Sequence, residues 1–121
     1  MPTGLILFAH GARDHGWRAP FDALVERVRA LAPGTPVRLA FLELMEPDLE
    51  TAAGDLAQEG ADAIRIVPVF FGQGGHLRRD LPQRVAALRE RLPGLSVSCA
   101  APAGEDDAVL DAIARFCVRG L

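Results

Sequence analysis

Two histidines and one glutamate recur at equal intervals in this chain of 121 residues. His10, Glu43 and His76 are each 33 residues apart, which is about the length of one strand–helix unit. Two neutral imidazoles and a carboxylate suit a borderline divalent metal that keeps open coordination positions. An imidazole that carries no metal can also accept a proton near neutral pH. The spacing therefore predicts a metal site at His10, Glu43 and His76 that can also take part in proton transfer.

The segments around these residues predict how they would be brought together. Each residue follows a short apolar run, and each loop is followed by apolar residues at helical spacing. The predicted strands are residues 5–9, 37–42, 63–71 and 95–100, and the predicted helices are residues 20–32 and segments starting near 47, 80 and 107. Asp80 is predicted to cap the third helix, with Pro82 in its first turn.

This alternation predicts one α/β domain over residues 1–121. We expect a four-stranded parallel sheet in the order 2-1-3-4 with helices on both faces, which is a flavodoxin-like half. The carboxyl ends of parallel strands share one edge, and ligands bind beyond that edge at the switch between strands one and three. His10, Glu43 and His76 all follow strands at this edge.

The loops that carry the two histidines also contain glycines and arginines. Gly72, Gly74 and Gly75 would let the backbone approach a ligand closely. All 13 basic residues of the chain are arginines; arginine suits two-point contacts with carboxylates, but the lack of lysine can equally reflect genomic base composition, which is the interpretation that we favour. Arg13, Arg78 and Arg79 lie on these loops, where they could pair with carboxylates of a ligand.

Composition excludes several classes of function. A net charge of −3 gives no electrostatic footprint for nucleic acid. No segment has the length or apolarity of a membrane span, and the first residues lack the basic region of a signal peptide, so we expect a cytoplasmic protein with no membrane partner. Cys99 and Cys117 are far apart in sequence and are expected to be reduced core residues.

Each candidate residue also has a purely structural interpretation. A single histidine after a strand is usually a hydrogen-bonded loop residue, and Glu43 can equally be a solvated carboxylate or the partner of an arginine. The three arginines can be solvated surface residues. Trp17 can stack on a ligand ring or pack at the start of the first helix. His15 is expected to be exposed and not a ligand.

Three blocks together resemble a known family. They are Phe8-Ala-His-Gly-Ala-Arg-Asp14, Phe41-Leu-Glu43 before Pro47, and Pro68-Val-Phe-Phe-Gly-Gln-Gly-Gly-His-Leu-Arg-Arg-Asp-Leu-Pro82. In this order they are similar to the small, single-domain sirohydrochlorin chelatases of the CbiX type, over nearly the whole chain.

The resemblance implies a function and a set of residues. It implies a class II chelatase fold, a homodimer, and ATP-independent insertion of cobalt or ferrous iron into sirohydrochlorin for cobalamin or siroheme synthesis; some relatives insert nickel. It assigns metal binding to His10 and His76 and an active-site carboxylate to Glu43. No cofactor is expected beyond the substrate metal. Longer relatives contain two such halves in one chain, whereas this chain has one.

Three other functions fit parts of the sequence. His10-Gly11 after a first strand resembles the histidine phosphatase signature, but Ala9 stands where that family needs an arginine. A metal carrier or storage protein could use the same histidines and glutamate, although the arginines and the glycine loop would then have no role. A flavodoxin-like interaction domain would bind no metal. Visible absorbance after mixing the protein with sirohydrochlorin and a divalent metal distinguishes these alternatives.

Overall fold

The computed structural model describes residues 2–121 and contains a four-stranded parallel sheet. The strands are β1 (Thr3–Ala9), β2 (Val37–Phe41), β3 (Ala63–Pro68) and β4 (Ser96–Cys99). The helices are α1 (Ala19–Leu31), α2 (Leu49–Gln58), α3 (Gly75–Arg91) and α4 (Asp107–Val118), with short 3-10 helices at His15–Arg18 and Ala103–Glu105. The sheet order β2-β1-β3-β4 confirms the predicted topology.

Alternation along β1 divides the core between the two faces of the sheet. Ile6 and Phe8 are fully buried on the face that α2 and α3 cover, whereas Leu7 and Ala9 lie on the face that α1 covers. A central strand of a parallel sheet is apolar on both sides because helices pack on both faces. The apolar run that predicted strand one is explained by this double burial.

The carboxyl ends of β1, β2 and β3 meet at one edge of the sheet. Leu42 donates its backbone N–H to the carbonyl of Ala9 at 2.8 Å, and Val69 donates to the carbonyl of Phe8 at 2.8 Å. These hydrogen bonds extend both ladders one residue beyond the strands. The loops that carry the candidate residues therefore start side by side.

The third strand and the third helix differ from the prediction. Strand β3 ends at Pro68 instead of residue 71, and α3 begins at Gly75, with Gly74 as its N-cap, instead of at Asp80. Pro82 consequently lies inside the helix. The prediction was wrong because it took Asp80 and Pro82 as a helix start; in the structure the helix already includes Leu77, whose side chain is buried.

Both cysteines are free and exposed, so their predicted place in the core was wrong. Cys99 is in β4, an edge strand, and Cys117 is in α4. Burial was inferred from apolar neighbours in sequence, but no residue of α4 is buried in this structure.

Helix α4 leaves its apolar side uncovered. The exposed fractions are 41% for Leu110, 36% for Ile113 and 66% for Phe116. An amphipathic helix normally buries such a side against other elements. Among the described residues, no helix has the length and apolarity needed to cross a membrane.

Candidate active site

His10 is the first residue after β1, and its half-buried imidazole lies against Phe70. The two ring centroids are 4.5 Å apart and the ring planes make an angle of 41°. Phe70 follows β3 and in turn contacts the fully buried ring of Phe8 edge-on, at 6.5 Å and 63°. Through Phe70, the buried core of the sheet therefore supports the imidazole of His10.

Gly11 brings the loop after β1 into direct contact with the loop after β2. Its φ is +92°, and a Cβ at this position would lie 1.8 Å from the backbone oxygen of Glu43. Glu43 donates its N–H to the carbonyl of His10 at 3.1 Å. Only glycine allows both this φ and this approach. The backbones of His10 and Glu43 are thus held together, and the Glu43 side chain is exposed.

His76 lies in the first turn of α3 and has a side chain that is 95% exposed. Its Nε2 is 3.3 Å from the Oδ2 atom of Asp80, one turn further along the same helix. This carboxylate can orient the imidazole. In the free chain, His76 is a solvent-facing group at the edge of the sheet.

The three predicted metal ligands do not form a closed cluster in the single chain. Within residues 2–121, no group of three or more His, Cys, Asp or Glu side chains is close enough to hold a metal ion. His10, Glu43 and His76 share the carboxyl edge of the sheet, and their assignment as ligands stays a prediction.

The predicted substrate-binding arginines face solvent. Arg13, Arg78 and Arg79 are exposed and make no ion pair in the part of the chain that the structure describes. By contrast, Arg18 pairs with Asp22 at 3.1 Å. Guanidinium groups without a protein partner remain available for carboxylates of a ligand.

Contacts among the described residues do not explain why glycines occur at and just before the start of α3. Gly72, Gly74 and Gly75 have ordinary backbone angles, and a Cβ at any of them would meet nothing within 4 Å. Neither strain nor packing therefore demands glycine at these positions. Their role in binding a planar ligand stays a prediction.

Trp17 and His15 both lie in the short 3-10 helix that precedes α1. The half-buried Trp17 ring packs on Phe21 at 4.5 Å and near Phe41 at 6.4 Å. Packing accounts for these contacts, and stacking of Trp17 on a macrocycle stays a prediction. His15 is exposed.

An ion pair between α2 and α3 packs against the aromatic side chains that support His10. Arg84 of α3 donates from Nε and Nη2 to both carboxylate oxygens of Glu50 in α2, at 3.0 and 2.9 Å. These hydrogen bonds hold the pKa of Glu50 below its ordinary value, against the opposing effect of burial. The guanidinium carbon of Arg84 lies 5.5 Å from the ring centre of Phe8. The pair therefore connects both helices on this face to the aromatic contacts beneath His10.

The sequence analysis did not identify Phe70 or Gly11 as part of the site. Phe70 was assigned to the interior of a strand, since it continues an apolar run. Gly11 directly follows a candidate histidine, and a glycine there could have indicated a left-handed turn or a close contact. Neither the Phe70 contact nor the Glu43 contact could be inferred from local sequence, because the partners come from different strands.

Known proteins resemble this chain over nearly its whole length. A sirohydrochlorin cobaltochelatase from Sulfolobus acidocaldarius is 32% identical over 118 residues, which are 98% of this chain and 92% of the relative. A sirohydrochlorin ferrochelatase from Bacillus subtilis is 27% identical over 93% of this chain but only 43% of its own length. This chain thus spans less than half of that longer relative.

A solved structure and a family profile agree with these relatives. The crystal structure of a cobalamin (vitamin B12) biosynthesis CbiX protein from Marinobacter aquaeolei VT8 matches with a TM-score of 0.85 and 30% identity, over 96% of this chain and 94% of the other. The CbiX family profile matches residues 4–117. Because this match covers nearly the whole chain, and a relative of similar length is 32% identical, this chain belongs to the CbiX family.

Proposed function

We propose that this protein is a chelatase that inserts cobalt or ferrous iron into sirohydrochlorin without ATP. The observation that carries this proposal is the pair of imidazoles at one edge of the sheet, with His10 after β1 and His76 at the start of α3, in a chain of the CbiX family. A relative of nearly equal length is a sirohydrochlorin cobaltochelatase. The enzyme acts in the cytoplasm, in the synthesis of cobalamin or siroheme.

Metal insertion requires ligand exchange and proton transfer. Two pyrrole N–H protons leave as one divalent cation enters, so the charge of the ring does not change. A neutral imidazole binds the metal weakly enough to release it stepwise, and a free imidazole accepts a pyrrole proton. His10 and His76 carry out these two roles, and Glu43 adjusts the charge near the metal or accepts a proton.

The arginines and glycines bind the macrocycle. Sirohydrochlorin carries several carboxylates, and Arg13, Arg78 and Arg79 present unpaired guanidinium groups around the same edge. Gly74 and Gly75 add a surface without side chains, and a methyl group there would meet only open space. Trp17 is the remaining candidate contact with the ring.

The test is anaerobic metallation of sirohydrochlorin, followed by visible absorbance. Replacement of His10 or His76 by alanine should lower kcat about a hundredfold, since general acid–base groups typically contribute that much. His15→Ala is the matched control and should keep the wild-type rate, because His15 is exposed and has no proposed role. Arg78→Ala should raise the KM for sirohydrochlorin with little change in kcat, and the effect should shrink at high salt.

Two results would contradict the proposal. If the wild-type protein binds cobalt but does not accelerate metallation, it is a metal carrier. If the His10→Ala and His76→Ala variants both keep full turnover, the reaction occurs elsewhere on the protein.

A homodimer completes this proposal. Helix α4 exposes an apolar side, and it borders an apolar groove of about 420 Å³ between α1, α4 and the sheet, whose lining includes Leu24, Val69 and Ile113. Uncovered apolar surface of this extent marks an interaction site. The occupant that we propose is a second copy, because the Bacillus subtilis relative is more than twice as long as the stretch that this chain matches. A monomer mass by light scattering at active concentrations would contradict it.

A further inference from the structure

The imidazole of His10 has an aromatic neighbour but no hydrogen-bond partner. Its centroid lies 4.5 Å from that of Phe70, at the close end of the range for aromatic pairs. Neither ring nitrogen is hydrogen-bonded to another group of residues 2–121. Metal-binding histidines usually donate their second nitrogen to a carboxylate or a carbonyl, which fixes the ring. In this chain, the contact with Phe70 is the feature that defines the plane of the ring.

Phe70 is itself held from two sides. Its ring contacts Phe8, which is completely buried. Its carbonyl accepts the N–H of Gly104 at 3.0 Å. Gly104 approaches so closely that a Cβ would lie 2.1 Å from the Cα of Phe71. The segment that follows β3 is therefore fixed by β1 on one side and by the 3-10 helix Ala103–Glu105 on the other.

The support continues into α2 and α3, the helices that cover Phe8. Arg84 lies over the ring of Phe8 and forms its two hydrogen bonds with Glu50. Side chains locked in this way can hold a functional group within a fraction of an ångström of its working position. His10 is thus the outermost member of a row of packed side chains that begins at the ion pair.

We propose that Phe70 is a positioning residue for His10, an inference that rests on the proposed role of His10 in metal insertion. The face of Phe70 sets the plane of the imidazole without using either nitrogen. One nitrogen of His10 therefore stays free for the metal or the pyrrole proton, and the other stays free to exchange a proton with water. A carboxylate partner would occupy the second nitrogen and make the imidazole a stronger, slower-releasing ligand.

Steady-state kinetics of two substitutions test this role. Phe70→Leu keeps an apolar side chain but removes the flat ring, and it should lower kcat about tenfold to a hundredfold, as expected for misplacement by up to 1 Å. The KM for sirohydrochlorin should change less than about twofold, because Phe70 acts through His10 and not on the substrate. Phe70→Tyr keeps the ring and should restore kcat to within about threefold of the wild-type value.

A double-mutant cycle with His10→Ala decides whether the effect passes through His10. In the His10→Ala background, Phe70→Leu should cause no further loss of kcat, since the group that it positions is absent. Losses that multiply in the double variant, or a Phe70→Leu variant with raised KM and unchanged kcat, would overturn the inference alone. Full turnover of His10→Ala would overturn the proposed role of His10 and this inference with it.

A spectroscopic measurement on the wild-type protein does not depend on the stability of any variant. The chain has three histidines, so few imidazole ring protons need to be assigned, and each ring can be assigned in the wild-type protein through correlations with its own backbone. Cross-relaxation should connect the ring protons of His10 with those of Phe70, and His15 and His76 should show no such contact with Phe70. Absence of the His10–Phe70 signal at neutral pH would overturn the inference.

Discussion

Gly11→Ala is expected to separate the two loops that meet at the candidate site. The substitution adds a single methyl group, which would lie 1.8 Å from the backbone oxygen of Glu43, at a residue whose φ is +92°. Two effects therefore add together: the backbone conformation becomes strained, and the two loops can no longer touch. A neighbouring backbone oxygen cannot move aside as the end of a flexible side chain can.

The magnitude follows from these two effects. A left-handed conformation costs a residue with a Cβ about 1–2 kcal/mol. Relief of the clash requires loss or lengthening of the hydrogen bond from Glu43 N–H to His10 O, now 3.1 Å, which contributes about 1 kcal/mol. The free energy of unfolding should therefore fall by about 2–3 kcal/mol. The loops would separate by roughly 1 Å, so kcat should also fall about a hundredfold.

Urea denaturation of three matched variants measures each effect separately. Gly60→Ala places a methyl group at φ +102° with nothing within 4 Å, so it shows the cost of the conformation alone, about 1–2 kcal/mol. Gly34→Ala has neither positive φ nor a close neighbour, and its effect should stay below about 0.5 kcal/mol. Metallation assays on the same proteins should show reduced kcat for Gly11→Ala only.

Comparing the destabilisation caused by Gly11→Ala with that caused by Gly60→Ala tests whether the close contact with Glu43 contributes to stability. If Gly11→Ala destabilises the protein no more than Gly60→Ala does, the close contact with Glu43 adds nothing to stability. If kcat also stays at the wild-type value, the loops after β1 and β2 do not need this contact to place His10 and Glu43.

Two further predictions concern assembly and the support beneath the site. Phe116→Glu should weaken the dimer at least about a hundredfold in sedimentation equilibrium, because each copy loses about 1.5 kcal/mol of apolar burial. The control Leu31→Glu, at an exposed residue of α1, should leave the dimer intact in the same measurement. Glu50→Gln should lower the free energy of unfolding by about 1.5–3 kcal/mol at pH 7, since hydrogen bonds to a charged group are lost. The pKa of Glu50 is lowered in the folded state, so its contribution to stability is present above the ordinary glutamate pKa and disappears as pH falls through the folded value. Equal stabilities of the wild-type protein and the Glu50→Gln variant at pH 7 in urea titrations would contradict this. The control Asp22→Asn, which breaks an exposed ion pair, should change stability by less than about 1 kcal/mol.

Local sequence patterns determined the elements and the edge at which the site lies. Apolar runs such as the one before His10 are visible in the chain because a strand buried on both faces needs an apolar residue at nearly every position. The strand order then followed from the right-handed crossovers of parallel strands. The loop positions of His10 and Glu43 followed in turn, because both come directly after strands.

The tertiary structure decided how these residues are held and which surfaces remain open. The contact of Phe70 with His10 and that of Gly11 with Glu43 each join residues from different strands, so no local pattern contains them. Helix α3 starts at Gly75, ahead of the capping signal of Asp80, and this start places Leu77 in the buried core. Amphipathic spacing predicts that a side of α4 is apolar, but only the packed chain shows that this side remains uncovered. The periodicity of apolar residues indicates which side chains are buried. Which residues they contact depends on segments that are far apart in sequence.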